Sequence, residues 1–200
     1  MSVPSERFGM PNASDAIPPT CELTQVHLLH RHGARYPTLH TNAPKLAEKL
    51  QGQFKAKDGL AFLQDWKYPL GAEILTPFGR LQLFELGVSF RVKYGHLLDK
   101  MKKKPVFRTT SQDRMAYSAL NFNAGFWGIP FEEQYHQLYI PEAVGFNNTL
   151  APHFSCPNDG TAVHALGFIA AANWTQEYLR DTVPRLQAMV SFRVYHFPSS

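Results

Sequence analysis

The sequence has few cysteines, no long apolar run and only a small net charge. Its 200 residues hold two cysteines, Cys21 and Cys156, which are too few for a disulfide framework or a four-ligand zinc site. No stretch approaches the roughly 20 uncharged apolar residues that a membrane-spanning helix needs. The 20 Lys and Arg exceed the 16 Asp and Glu by only four charges, scattered along the chain. We therefore expect no membrane partner and no nucleic-acid partner.

What remains is the composition of a globular protein. Apolar residues make up 44% and charged residues 18%, which excludes a disordered chain and most coiled coils. Three N-glycosylation sequons, at Asn12, Asn147 and Asn173, favour a secreted glycoprotein, although such triplets also arise by chance. Residues 1–7 lack the apolar centre of a signal peptide. We interpret the chain as secretory in kind, without its export segment.

The first half of the pattern is a strand followed by a helix. Residues 24–30 have an apolar centre rich in β-favouring residues and predict a buried strand. A loop from Arg31 to Pro37 is expected to follow the strand. Thr76 and Pro77 are the residue types preferred at an N-cap and at the first helical position. An apolar stripe then runs to Tyr94, so the sequence predicts a helix over these residues.

A second strand and helix follow, which indicates an α/β fold. Residues 105–109 predict a short strand, and Thr110 with Asp113 fits a capping box at the start of the next helix. Residues 128–160 are rich in Gly, Pro and Asn and predict loops, whereas residues 161–179 predict a helix. Strand, helix, strand, helix is typical of a parallel-sheet core with flanking helices.

We divide the chain into four segments on this basis. In order, they are an extended N-terminal arm, the N-terminal part of an α/β domain, a helical and loop-rich excursion, and an atypical tail. Their expected bounds are 1–20, 21–128, 129–189 and 190–200.

The most informative segment is the run His30-Arg31-His32-Gly33-Ala34-Arg35-Tyr36-Pro37, at the end of the predicted first strand. In open α/β sheets, ligands bind outside the carboxyl ends of the strands. Arg31 and Arg35 supply planar guanidiniums that match phosphate oxygens. Between them, His32 can attack phosphorus through a ring nitrogen and carry the phosphoryl group. Gly33 lets the backbone approach closely.

Three stretches together resemble the histidine acid phosphatases. The run from Cys21 to Thr38 contains the R-H-G-x-R-x-P string and is similar to the fungal, phytase-related branch. Leu75-Thr76-Pro77-Phe78-Gly79 resembles the family's L-T-x-x-G segment at the start of a helix. Arg108-Thr109-Thr110-Ser111-Gln112-Asp113-Arg114 resembles its second arginine segment. The resemblance covers about residues 21–128 and implies the phosphoglycerate-mutase-like α/β fold.

The family implies phosphomonoester hydrolysis, with phytate or a similar small molecule as substrate, and no cofactor. His32 would be the nucleophile that forms a phosphohistidine, and Arg31, Arg35 and Arg114 would bind the phosphate. Arg114 is also favoured by its expected place in the first turn of a helix, where the dipole attracts anions. Arg108 stays open between a phosphate contact and a salt-bridged strand residue.

The sequence departs from the family at the proton donor. Members carry a second active-site His followed by an acidic residue, whereas none of the nine histidines here precedes Asp or Glu. Members also run to about twice this length. We therefore expect the chain to be an N-terminal portion that lacks the second half of the site. Cys21 and Cys156 would pair with C-terminal cysteines in a complete relative, and pairing together or staying free are the alternatives.

Two alternatives to a phosphatase remain open. One is a non-catalytic remnant in which Arg31, Arg35 and Arg114 still bind phosphate. The other is a metallohydrolase, because His30 and His32 alternate on one face of the predicted strand and could hold a metal ion. That second alternative lacks an acidic cluster nearby, and the intervening Arg31 would repel a cation.

Overall fold

The computed structural model describes residues 16–39, 42–50, 54–156 and 161–192. The chain forms two compact units: the first comprises Met1–Tyr36 and Glu73–Phe154, and the second comprises Pro37–Ala72 and Ser155–Ser200. Every arginine and histidine singled out above as a candidate ligand or nucleophile belongs to the first unit. The site is therefore built within that unit.

The described residues form both α-helices and short strands. The helices are α1 (Asn42–Leu50), α2 (Pro77–Tyr94), α3 (Asp113–Trp127), α4 (Thr161–Leu179) and α5 (Thr182–Met189). The strands are β1 (Phe54–Ala56), β2 (Val106–Thr110), β3 (His136–Ile140) and β4 (Val190–Phe192). Short 3-10 helices cover Asp58–Gln64, Gly95–Lys100 and Pro152–Phe154.

A parallel strand pair confirms the α/β prediction, but its members differ from those expected. β2 pairs in parallel with β3, in a register that places Val106 opposite His136 and Thr110 opposite Ile140. β3 lies in the segment predicted as loops, because Gly, Pro and Asn on both sides obscured its five residues. Residues 24–30 were predicted as a buried strand. They have no regular secondary structure, are mostly exposed, and pair with no strand in the part of the chain described.

Helix α2 confirms its prediction closely. The hydroxyl oxygen of Thr76 accepts a hydrogen bond of 2.9 Å from the Gly79 N–H, and Pro77 occupies the first turn. At α3 the capping box is wrong: the residue before the helix is Gln112, without a side-chain cap. The reason is that Thr110 belongs to β2, so its backbone is committed to the strand ladder.

The core of the first unit lies where α2 crosses α3. Leu83, Phe122 and Phe126 are its buried centre. The helices approach closely because Gly87 faces the Phe122 carbonyl and Gly125 faces the Phe84 carbonyl, where a Cβ on either glycine would overlap an oxygen. This contact brings the start of α3 beside the loop that precedes α2, and thereby positions the candidate site.

The second unit has a smaller core. β1 pairs antiparallel with β4, and Leu50 and Ala56 form a buried cluster against Trp66 and Val190. β4 covers the first residues of the predicted tail, while residues 193–200 and most of the predicted arm (1–15) lie outside the described residues. Within the described ranges, none of the helices has both the length and the apolar character needed to span a bilayer.

Replacing Gly87 by Ala is expected to destabilise the protein by about 1–3 kcal/mol, because overpacking at the Phe122 carbonyl outweighs the gain in helix propensity of about 1 kcal/mol. Urea unfolding followed by circular dichroism measures the change. Gly167→Ala on α4 is the matched control, since its Cβ would meet nothing within 4 Å and should add up to about 1 kcal/mol. A Gly87→Ala variant as stable as the parent would contradict the close helix contact.

Candidate active site

The loop after residue 30 is fixed to the start of α2 by backbone hydrogen bonds. The Ala34 carbonyl accepts from the Thr76 N–H at 2.9 Å and from the Thr76 hydroxyl at 3.1 Å. The Ala34 N–H donates to the Gln82 side chain at 2.9 Å, and the Tyr36 N–H donates to the Ile74 carbonyl at 3.0 Å. The helix start predicted from Thr76 and Pro77 therefore also anchors the loop that carries His32.

Gly33 allows this loop to lie directly on α2. A Cβ at Gly33 would overlap the Gly79 carbonyl oxygen, and a Cβ at Gly79 would overlap the Ala34 carbonyl oxygen. Two glycines are thus needed for the backbones to touch. This is the physical reason for the glycine that directly follows His32.

His32 is held in one tautomer by its own loop. Its Nδ1 lies 2.7 Å from the Gly33 carbonyl oxygen, which can only accept, so Nδ1 carries the proton. In the neutral ring, Nε2 then has the free lone pair, as a nucleophile requires. Burial lowers the pKa of His32, the Gly33 carbonyl opposes this shift, and the charges of Arg31, Arg114 and Arg35 lower the pKa further.

The His32 ring is expected to titrate below the usual histidine range in the folded chain and within that range in urea. The folded state binds this proton less readily than the unfolded state. The contribution of His32 to stability is therefore complete above the unfolded pKa and is lost as pH falls through that value toward the folded pKa. NMR titration of the ring in both states measures the shift. A folded pKa equal to or above the unfolded pKa would contradict it.

One open cavity of about 670 Å³ is lined by three of the four residues predicted for the phosphatase site, Arg31, His32 and Arg114. Arg35 does not line this cavity, although its charge acts on His32. Its guanidinium donates to the Tyr36 carbonyl at 2.9 Å, and its Nε is buried without a hydrogen-bond partner in the described structure. Arg31 and Arg114 give the cavity a cationic wall beside the His32 imidazole, which suits a tetrahedral oxyanion.

Arg114 lies in the first turn of α3, as predicted, and is oriented by an acidic partner that the sequence did not reveal. Its guanidinium forms an ion pair of 2.5 Å with Glu73, and both side chains are partly buried. Glu73 precedes α2 and is 41 residues away in sequence. No local pattern links the two residues, so only the fold could identify the pair.

Arg108 does not line the cavity that contains His32, whereas His30 lines it beside Arg31. Arg108 lines a second cavity, of about 400 Å³, between residues 26–30 and the β2 strand. The His30 ring stacks on Phe122 with centroids 5.3 Å apart, and its Nδ1 donates to the Arg31 carbonyl. Among the described residues, no group of three or more His, Cys, Asp or Glu is arranged to hold a metal ion.

The cavity that contains His32 is also lined by a polar cluster that the sequence analysis did not predict. The Gln112 amide donates to the Glu142 carboxylate at 2.6 Å, and His153 Nε2 lies 4.0 Å from the same carboxylate. Glu142 follows β3 just as Gln112 follows β2, so both come from the carboxyl ends of the parallel pair. Recognising β3 in the sequence would have located Glu142.

Two of the three predicted glycosylation sites are exposed. Asn147 is exposed, Asn173 is exposed on α4, and Asn12 lies outside the described residues. Cys21 and Cys156 are both exposed free thiols in this structure.

Comparison with known proteins identifies what this chain resembles. The model of the histidine phosphatase superfamily (branch 2) matches residues 22–195. Phytase A of Aspergillus fumigatus is 34% identical over 88% of the chain and 39% of its own length. Phytase A of Arthroderma benhamiae is 43% identical over 56% of the chain and 25% of its own length.

A solved structure gives the same result for the fold. The crystal structure of the phytase from D. castellii matches 89% of the chain with a TM-score of 0.71 and 29% identity. The match covers 42% of that phytase, so the chain spans less than half the length of these relatives.

Proposed function

The chain belongs to branch 2 of the histidine phosphatase superfamily, and from this membership we propose that it carries the nucleophile and phosphate-binding part of a phosphomonoester hydrolase. The supporting observation is His32 in the same cavity as Arg31 and Arg114, with Nδ1 bonded to the Gly33 carbonyl. The substrate class is a small organic phosphate of the phytate type, by analogy with the phytase relatives.

In the proposed reaction, Nε2 of His32 attacks phosphorus as the ester P–O bond breaks. The electron pair of that bond leaves with the alcohol oxygen, which takes up a proton. Water then cleaves the N–P bond, which releases inorganic phosphate and restores the imidazole. Arg31 and Arg114 stabilise charge on the equatorial oxygens, with Arg35 adding to the positive field, and this is the main contribution expected in phosphoryl transfer.

We further propose that these 200 residues hold only part of the family's catalytic site. The family's His-acid donor pair is absent from the sequence, and the matched relatives are more than twice as long. Loss of a general acid typically slows a reaction by about 10²–10⁴-fold. The chain alone should therefore turn over slowly, most of all with alkyl esters, whose leaving oxygen needs a proton.

The choice of leaving group tests this proposal directly. The dinitrophenolate of 2,4-dinitrophenyl phosphate departs without protonation, whereas the alcohol of an alkyl phosphate must be protonated as it leaves. The chain is expected to release up to one dinitrophenolate per molecule in a burst and to retain phosphate in an acid-labile, alkali-stable form on His32. An alkyl phosphate should give no burst.

The missing donor pair also favours one alternative, a phosphate-binding protein without turnover. In that case inorganic phosphate would raise the melting temperature while dinitrophenyl phosphate gave neither a burst nor phosphohistidine. That pair of results would reject the phosphatase proposal for this chain.

Secretion and glycosylation belong to the same proposal. Asn147 and Asn173 are exposed and lie in sequons, so each can accept a glycan in a secretory compartment. Expression through a eukaryotic secretory pathway should give a mass that falls on treatment with an N-glycosidase.

A further inference from the structure

Ser118 is a buried hydroxyl between the His32 loop and helix α3. It is 1% exposed and lies in the second turn of α3. Its Oγ accepts a hydrogen bond of 3.2 Å from the Gly33 N–H and donates one of 2.7 Å to the Arg114 carbonyl. The hydroxyl thus accepts from the loop that carries Arg31 and donates to the helix turn that carries Arg114.

The direction of these bonds matters. Because the proton of Ser118 points at the Arg114 carbonyl, a lone pair of the oxygen is left for the Gly33 N–H. The carbonyl of the same glycine accepts from Nδ1 of His32. A chain of three hydrogen bonds therefore runs from the first turn of α3, through Ser118 and Gly33, to the imidazole.

We propose that Ser118 is a positioning residue that fixes the tautomer and orientation of His32 by holding Gly33. This role rests on the proposed function of His32 as the nucleophile. A Cβ on Gly33 would overlap the Gly79 carbonyl oxygen, so the close contact with α2 restrains the loop from moving toward that helix. The Ser118 hydroxyl supplies the matching restraint from α3, and together they set the direction in which Nε2 faces the cavity.

Ser118→Ala removes the restraint with little change in volume. The parent is expected to show a protonated Nδ1 and an unprotonated Nε2 in ¹⁵N NMR spectra of the neutral His32 ring. In the variant, the tautomer protonated at Nε2 becomes populated, and phosphohistidine formation from dinitrophenyl phosphate slows on the order of 10²-fold, the scale for a misplaced reacting group.

Asn123→Ala is the matched control. Asn123 is also a 1%-exposed polar residue of α3, and its amide donates to the Ala119 carbonyl and to Gln137, away from the His32 loop. This variant should lose stability but keep the ring spectrum and the rate of the parent. Ser118→Cys keeps the shape of the side chain but replaces the hydroxyl by a larger, weakly hydrogen-bonding thiol, and serves if the alanine variant does not fold. It should shift the tautomer in the same direction.

The inference is overturned if Ser118→Ala, or Ser118→Cys in its place, shows the parental ring spectrum and parental rate. It is equally overturned if Asn123→Ala shifts the tautomer as much, since the effect would then be general loosening. Failure of the proposed function is separate: a parent that forms no phosphohistidine rejects the phosphatase, while the ring spectra still decide the role of Ser118.

Discussion

Replacing His32 by Ala is expected to abolish phosphohistidine formation, with a loss of about 10⁶-fold in the rate of dinitrophenolate release, the scale for deleting a covalent nucleophile. Phosphate binding should persist in part, because Arg31 and Arg114 still line the cavity. Quenching in alkaline denaturant after mixing with labelled dinitrophenyl phosphate preserves and measures the phosphoenzyme, and calorimetry measures phosphate affinity.

His27→Ala is the matched control for this experiment. His27 is an exposed histidine five residues before His32 and lines the cavity of about 400 Å³ instead. It should retain the burst of the parent. A phosphoenzyme in His32→Ala equal to that of the parent would place the nucleophile elsewhere and remove the basis of the proposed reaction.

Replacing Arg114 by Ala should weaken phosphate binding about 10- to 100-fold, which is the expected loss for a charge-assisted hydrogen bond of roughly 1.5–3 kcal/mol. It also removes the cation that pairs with the Glu73 carboxylate at 2.5 Å. The same variant should slow phosphoenzyme formation by a larger factor than it weakens binding, because the charge on the phosphoryl oxygens changes in the transition state.

Arg91→Ala controls for the lost charge. Arg91 lies on α2 and stacks over the rings of Phe126 and Trp127, so its removal changes the net charge equally without touching the His32 cavity. Phosphate affinity should stay at the parental level. Equal weakening in Arg91→Ala and Arg114→Ala would mean that phosphate senses only overall charge.

Arg108→Ala tests whether Arg108 contacts phosphate. Because Arg108 lines the smaller cavity, this variant should weaken phosphate binding less than Arg114→Ala does.

Local signals predicted the elements that are stable by local interactions. The Thr76 cap and Pro77 identified the start of α2, because a capped helix end depends on four adjacent residues. The strand predicted at residues 24–30 did not form, since a strand needs a hydrogen-bonded neighbour, and that requirement is not written in its own residues. β3 was missed because Gly, Pro and Asn on both sides obscured five residues that pairing with β2 holds in a strand.

The candidate site divides in the same way. The R-H-G-x-R-x-P string identified Arg31, His32 and Arg35 because these residues are adjacent in sequence. The partners of Arg114 and of the His32 loop come from elsewhere in the chain: Glu73 contacts Arg114, and Ser118 contacts Gly33 across 85 residues. Hydrogen bonds over such separations depend on the crossing of α2 and α3, which no periodicity in the sequence encodes.

The glycine contact between α2 and α3 has a consequence for how anion binding would be felt through the first unit. The loop of His32 is bonded both to the start of α2 and, through Ser118, to α3, while Gly87 and Gly125 lock the two helices together farther along. Opening the loop therefore requires separating the helices. Phosphate at the cavity should accordingly slow amide hydrogen exchange near Gly87 and Gly125, far from any atom that the anion touches.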